Sequence, residues 1–138
     1  MQPAVRGVIM AFDFGLRHIG VALGQTVTHT ATGVVTLKAK DGKPDWRELQ
    51  DLLKEYRPTH LVVGLPLNMD GSPSEMSALA ERFAGELGRR SGLTVTLQDE
   101  RLSSREAKAS FDDAKATGQA KTEHELAACL ILRSWLEA

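Results

Sequence analysis

The sequence predicts an α/β domain: a mixed sheet of about five strands flanked by helices, the first three strands forming an antiparallel meander. Three observations carry this. Two short apolar runs closed by glycine, Gly7–Gly15 and His18–Gly24, come first, followed by a Thr/Val-rich run at Thr28–Leu37. Segments with a helical apolar period then alternate with compact apolar runs, the pattern of parallel crossovers whose helices cover a sheet. The chain has 138 residues and 42% hydrophobic content, enough to bury one core as a single domain over residues 1–138.

Each element has a local reason. The "GLRH" between the first two runs is a tight-turn signal, so those strands form a hairpin. "KAKDGKP", Lys38 to Pro44, reads as a polar turn. Asp45 follows as the N-cap of a helix with Trp46, Leu49, Leu52, Leu53 and Tyr56 on one side, stopped by Pro58. His60–Leu65 is a compact buried strand. The spacing predicts a helix over Glu75–Ser91 with Ala78, Leu79, Phe83 and Leu87 inward, ended by Gly92. Leu93–Leu97 alternates as a half-buried strand does. Ser103 and Glu106 have capping-box spacing and start a further helix. A last helix runs from about Thr122 to Leu136.

The bulk numbers exclude several classes. Formal net charge is −1, from 17 Lys and Arg against 18 Asp and Glu, so any nucleic-acid contact must come from a local patch. Cys129 is the only cysteine, which excludes a disulfide framework and a cysteine metal cluster. The apolar run Leu126–Leu132 is far too short to cross a bilayer, and the N-terminus lacks signal-peptide features. A cytoplasmic protein is expected.

Asp13 is the first residue to demand explanation. It lies inside "VIMAFDFG", and an ionised carboxylate among large apolar side chains is costly without a hydrogen-bonded partner or a metal. In a sheet of this kind, functional groups gather at the carboxyl ends of the parallel strands. Those ends carry Asp13, then Pro66 to Asn68, then Asp99 and Glu100. On a helical wheel of the last helix, His124 aligns with Ala128, Ile131 and Trp135 on the inward face, Glu125 falls toward its edge and Glu123 points outward. Asp13, Glu100 and His124 therefore converge as candidate ligands for a divalent cation facing a phosphate. Against this stand simpler readings: a turn Asp capping its own backbone, acids favouring a helix dipole, and a hydrogen-bonded core histidine.

At these residues the sequence resembles the YqgF (RuvX) family, pre-16S rRNA nucleases of bacteria with a ribonuclease H-like fold related to RuvC-type Holliday-junction resolvases. The resemblance rests on "AFDFGLRHIGVALG", "KDGKPDW", "VVGLPLNMDGS", "QDERLSS" and "AACLILRSWL", in order over nearly the whole chain. It implies metal-dependent phosphodiester cleavage using one or two Mg²⁺ or Mn²⁺ ions. Asp13 and Glu100 match two of the family's acids, whereas His124 stands where the family usually has Asp. An imidazole there favours Mn²⁺ or softer ions over Mg²⁺.

The implied substrate is a ribosomal RNA precursor, cut near the 5′ end of 16S rRNA, with ribosome-assembly or helper proteins as possible partners and no membrane. Arg101, Asn68, Lys38 and Arg105 are candidate substrate contacts, with Lys40, Lys43 and Lys108 nearby in sequence. Two alternatives remain open: a resolvase-like DNA endonuclease, and a non-catalytic RNA-binding assembly factor. A phosphate-binding kinase module, which "DFGLRHIG" also resembles, would need a second domain that 138 residues do not supply.

Overall fold

The computed structural model describes residues 7–99 and 120–137. β1 (Val8–Asp13) and β2 (His18–Gln25) form the expected hairpin, with Asp13 opposite Gly20. β3 (Thr30–Lys40) runs antiparallel to β2 and continues past the predicted end into the "polar turn". There it folds back on a two-residue strand, β4 (Lys43–Pro44), through Asp41 and Gly42, both at positive φ. Asp-Gly is the sequence pair that such a two-residue hairpin turn requires. The sheet therefore has six strands rather than five.

α1 (Trp46–Tyr56) begins at Asp45, whose carboxylate accepts from the backbone N–H of Arg47 and Glu48. It ends at Arg57, in left-handed conformation, directly before Pro58. β5 (His60–Leu65) pairs parallel with β1, and β6 (Val95–Asp99) pairs parallel with β5. β6 thus starts and ends two residues later than predicted. α2 (Glu75–Ser91) links them, started by a reciprocal Ser74–Ser77 capping box. Its buried face is Ser77, Ala80, Phe83, Ala84 and Leu87, so Ala78 is exposed rather than inward. The buried stripe recurs at i, i+3 and i+4 through Ala80, Phe83, Ala84 and Leu87, which carries Ser77 inward and turns Ala78 away. α3 (Glu123–Glu137) closes the fold. The helix expected from Ser103 lies outside the described residues.

The strand order is β4-β3-β2-β1-β5-β6, with two layers of side chains. Even residues of β1, Met10 and Phe12, join Leu49 and Phe83 in the core under α1 and α2. Odd residues Ile9 and Ala11 join Ala22, Ala31 and Val62 under α3, against Ile131, Leu132 and Trp135. Burying each large α3 side chain contributes roughly 1.5–3 kcal/mol. Cys129 belongs to this layer, and burial pushes its thiol up to about 11, so it packs as an uncharged group. No helix among the described residues is long and apolar enough to cross a membrane.

Candidate active site

The strand period of two places Asp13 on the same face as Ile9 and Ala11, the face that α3 covers. It is the last residue of β1 and only half-buried. The sequence expectation of a carboxylate buried in the core is thus corrected: Asp13 is half-buried at the end of β1, while its neighbours Phe12 and Phe14 are buried in the core on the other face.

Its cross-strand neighbour decides what lies beside it. A Cβ on Gly20 would collide with the carbonyl oxygen and carbon of His124, so glycine is what lets the N-terminus of α3 settle on β2 here. That approach is pinned on one side by the hydroxyls of Thr36 (β3) and Thr122, 2.7 Å apart. Thr122 Oγ1 in turn accepts from the N–H of Glu125 at 3.0 Å, and Glu125 Oε1 accepts from the N–H of Lys121 at 3.1 Å. The sequence Thr-Glu-His-Glu carries the spacing of a capping box, a signal the helical wheel passes over.

This arrangement corrects the wheel in one respect. Glu125 is buried, 4% exposed, on the stripe with Leu126, Ala128, Cys129 and Leu132, while His124 is half-buried at the margin. A wheel assumes one environment along the whole helix, but the first turn of α3 lies over the sheet's end. There, the His124 ring finds His18, the first residue of β2. The ring centroids are 4.8 Å apart and the planes 21° from parallel. Sequence reasoning quoted His18 within "DFGLRHIG" without assigning it a role; only the tertiary approach of α3 reveals it. Burial, and then the neighbouring His18, lower the pKa of His124 below the ordinary imidazole value, with Glu123 pulling it the other way. The neutral ring that results keeps a nitrogen lone pair for a ligand.

Lys38 is exposed and lies directly opposite His18 in the β2–β3 register. Lys40 follows it by two, and Lys43 is its partner in β4, so all three share a face. Asn68 is in the loop after β5. Its Nδ2 donates to Ser72 Oγ at 3.0 Å and to the carbonyl of Pro73 at 3.1 Å, so it braces that loop. Glu100, Arg101 and Arg105 lie outside the described residues, as does Lys108. Among the described residues, no three His, Cys, Asp or Glu side chains converge as a metal-binding group. What the described residues supply is an oxygen donor, Asp13, and a nitrogen donor, His124, at one end and on one face of the sheet.

A family model described as "Holliday junction resolvase", RuvX, matches residues 7–138. A protein of Sodalis glossinidius (strain morsitans), described as "Putative pre-16S rRNA nuclease", is 50% identical over 137 residues, covering 97% of this chain and 96% of its own. One from Yersinia enterocolitica with the same description is 50% identical over 131 residues, covering 94% of each chain. Among solved structures, Thermus thermophilus RuvC in complex with Holliday junction substrate aligns with a TM-score of 0.60 at 14% identity, covering 94% of this chain and 92% of that one. The fowlpox virus resolvase with Holliday junction DNA aligns at 0.57 and 14% identity, covering 95% and 97%. The two solved structures share the fold described above, and the match from residue 7 to the last residue, with half of the aligned positions identical in two relatives, makes this chain a member of the RuvX family.

Proposed function

We propose that this protein is a divalent-metal-dependent nuclease that hydrolyses phosphodiester bonds of a ribosomal RNA precursor, maturing the 5′ end of 16S rRNA in the cytoplasm. The observation that carries the reading is that Gly20 is at once the cross-strand partner of Asp13 and the seat of the His124 backbone. It supports a site at this end of the sheet that draws on an acid of the first strand and the imidazole of the final helix. The relatives at 50% identity, described as nucleases of pre-16S rRNA, supply the substrate class.

The donor set fits a divalent cation: a carboxylate oxygen at Asp13, an imidazole kept neutral at His124, and Glu100, the residue that follows β6, as the third. One oxygen-rich, partly nitrogenous set suits Mn²⁺ at least as well as Mg²⁺. When bound, such an ion polarises a phosphoryl oxygen and lowers the pKa of bound water. The chain's own residues do the rest. His18 restrains the His124 ring by stacking on it. Lys38, Lys40 and Lys43 present a row of ammonium groups for backbone phosphates, joined in this proposal by Arg101 and Arg105. Asn68 keeps the adjacent loop in shape.

The test is cleavage of a short RNA carrying the precursor 5′ flank, by purified protein in Mn²⁺. Asp13→Asn and Glu100→Gln each abolish cutting while circular dichroism is unchanged. Equal cutting by wild type and Asp13→Asn overturns the proposal. The description of the family model as Holliday junction resolvase supports a second reading, a DNA endonuclease. A four-way DNA junction in the same assay separates the two: cleavage of the junction alone selects the second.

A further inference from the structure

β4 pairs with β3 only at Ala39 and Lys40, so among the described residues the outer edge of β3 from Thr30 to Lys38 has no neighbouring strand. The run Thr30–Leu37, "TATGVVTL", contains no charge and no proline. Proteins usually blunt an open edge with those residues, because its unpaired N–H and C=O groups are a template for another strand.

Beside this edge runs a groove of about 220 Å³ between β3 and α1, lined by Val35, Leu37, Glu48, Asp51, Leu52 and Glu55. Its floor is apolar and its rim is acidic. Glu48, Asp51 and Glu55 recur at helical spacing on the exposed side of α1, and no described cation pairs with any of them. The other face of the same edge differs, since Lys38 and Lys40 lie on the α3 side. The edge is therefore sided: negative over the α1 face, positive toward the α3 face at its end.

We propose that the β3 edge and the α1 groove together form a docking site for an extended basic segment of a partner protein, added to the sheet as a further strand. Alternate residues of an added strand face α1. Lysines at those positions lay their aliphatic stems on Val35, Leu37 and Leu52 and bring their ammonium groups to Glu48, Asp51 and Glu55. Main-chain hydrogen bonds to the edge supply affinity, and the acidic rim supplies the choice of partner. The groove is on the opposite face of the sheet from Asp13 and His124.

The probe is a fluorescent peptide alternating threonine and lysine, titrated into the full-length protein. It binds, and amides of Thr32–Leu37 gain protection from hydrogen exchange. The combined charge reversal Glu48→Lys, Asp51→Lys, Glu55→Lys weakens binding by about threefold to a hundredfold, the range of three exposed ion pairs. These are exposed helix positions, and circular dichroism verifies that the variant folds. The same peptide N-methylated at alternate backbone nitrogens keeps its charge and loses binding. Equal binding by the reversal variant overturns the proposal, as does equal binding of the N-methylated peptide, which would reduce the contact to charge alone. Absence of binding together with self-association through β3 overturns it in favour of a second copy of this chain.

Discussion

The imidazole rings of His18 and His124 lie 4.8 Å apart and 21° from parallel, one at the start of β2 and the other in the first turn of α3. The pair spans more than a hundred residues of chain, and it gives a partner to a side chain that helical geometry alone puts on the inward face and the structure leaves half-buried at its margin. A stacked aromatic pair contributes about 0.5–1.5 kcal/mol beyond the area it buries. Removing the support therefore affects His124 before it affects the fold. His18→Ala lowers Mn²⁺-dependent cleavage by about two- to tenfold, the equivalent of that energy. His18→Phe restores it, because a phenyl ring stacks without offering a ligand. A loss of activity in His18→Phe equal to that in His18→Ala would mean that the His18 ring nitrogens, rather than its plane, matter.

His124→Asp tests the donor chemistry at the same position. A carboxylate adds a negative oxygen donor, which favours the harder ion. The ratio of cleavage rates in Mg²⁺ to those in Mn²⁺ rises in this variant, and calorimetric titration shows Mg²⁺ binding tighter than in wild type. An unchanged ratio with unchanged Mg²⁺ affinity would remove His124 from the metal's ligands.

Gly20 is where the fold and the site depend on one missing atom. A methyl group there collides with the His124 carbonyl, backbone that has no flexible end to swing aside. Gly20→Ala costs about 1–3 kcal/mol, the usual range for overpacking, read as a lower urea midpoint. It also displaces the first turn of α3, so cleavage falls more than stability predicts. A midpoint equal to wild type would show that α3 does not rest on β2 as described.

The fold was legible because its signals are local. Asp45, Pro58 and Gly92 mark helix ends by their own chemistry, and the apolar runs of β1, β2 and β5 need no partner to be recognised. What was not legible depends on contacts between distant segments. Nothing near His18 in sequence announces His124, and the environment of Glu125 is set by a cap and a sheet end that a uniform wheel averages away. β4 escaped for another reason: two strand residues are too few to show a period, although the Asp-Gly pair that turns the chain was in plain view.

Glu125, one of the two acids adjacent to His124 in sequence, could be mistaken for a ligand. Its carboxylate accepts from the N–H of Lys121, and its own N–H is capped by Thr122. Glu125→Ala therefore costs about 1 kcal/mol of stability, the ordinary value of a lost cap, while the folded protein keeps its Mn²⁺ affinity. Urea denaturation and a Mn²⁺ titration read the two quantities separately. Loss of Mn²⁺ binding with stability intact would reassign Glu125 to the metal.

His60 controls a pH dependence at the other end of α3. Its ring is stacked on Trp135, centroids 5.0 Å apart, and its Nε2 is 2.7 Å from the Thr96 hydroxyl. Burial disfavours the charged form and lowers its pKa from the usual 6.5. The unfolded chain then binds a proton at His60 that the folded chain resists. Its contribution to stability is complete above about pH 6.5 and is lost as pH falls from there through the lower folded-state pKa. His124, lowered likewise, acts in the same direction, so the wild-type slope alone does not isolate either residue. The difference between wild type and His60→Gln does. Unfolding free energies by urea at intervals from pH 7.5 to pH 5 give a wild-type curve that falls more steeply than the variant's, by at most about 1.4 kcal/mol per pH unit for one proton. At pH 7.5 the variant is the less stable, because Gln forfeits the stack on Trp135. Toward pH 5 the gap narrows, because the variant has no imidazole to charge. Parallel curves over that range would show that His60 titrates alike in the folded and unfolded chain, and that its seat between Trp135 and Thr96 exacts no penalty on the proton.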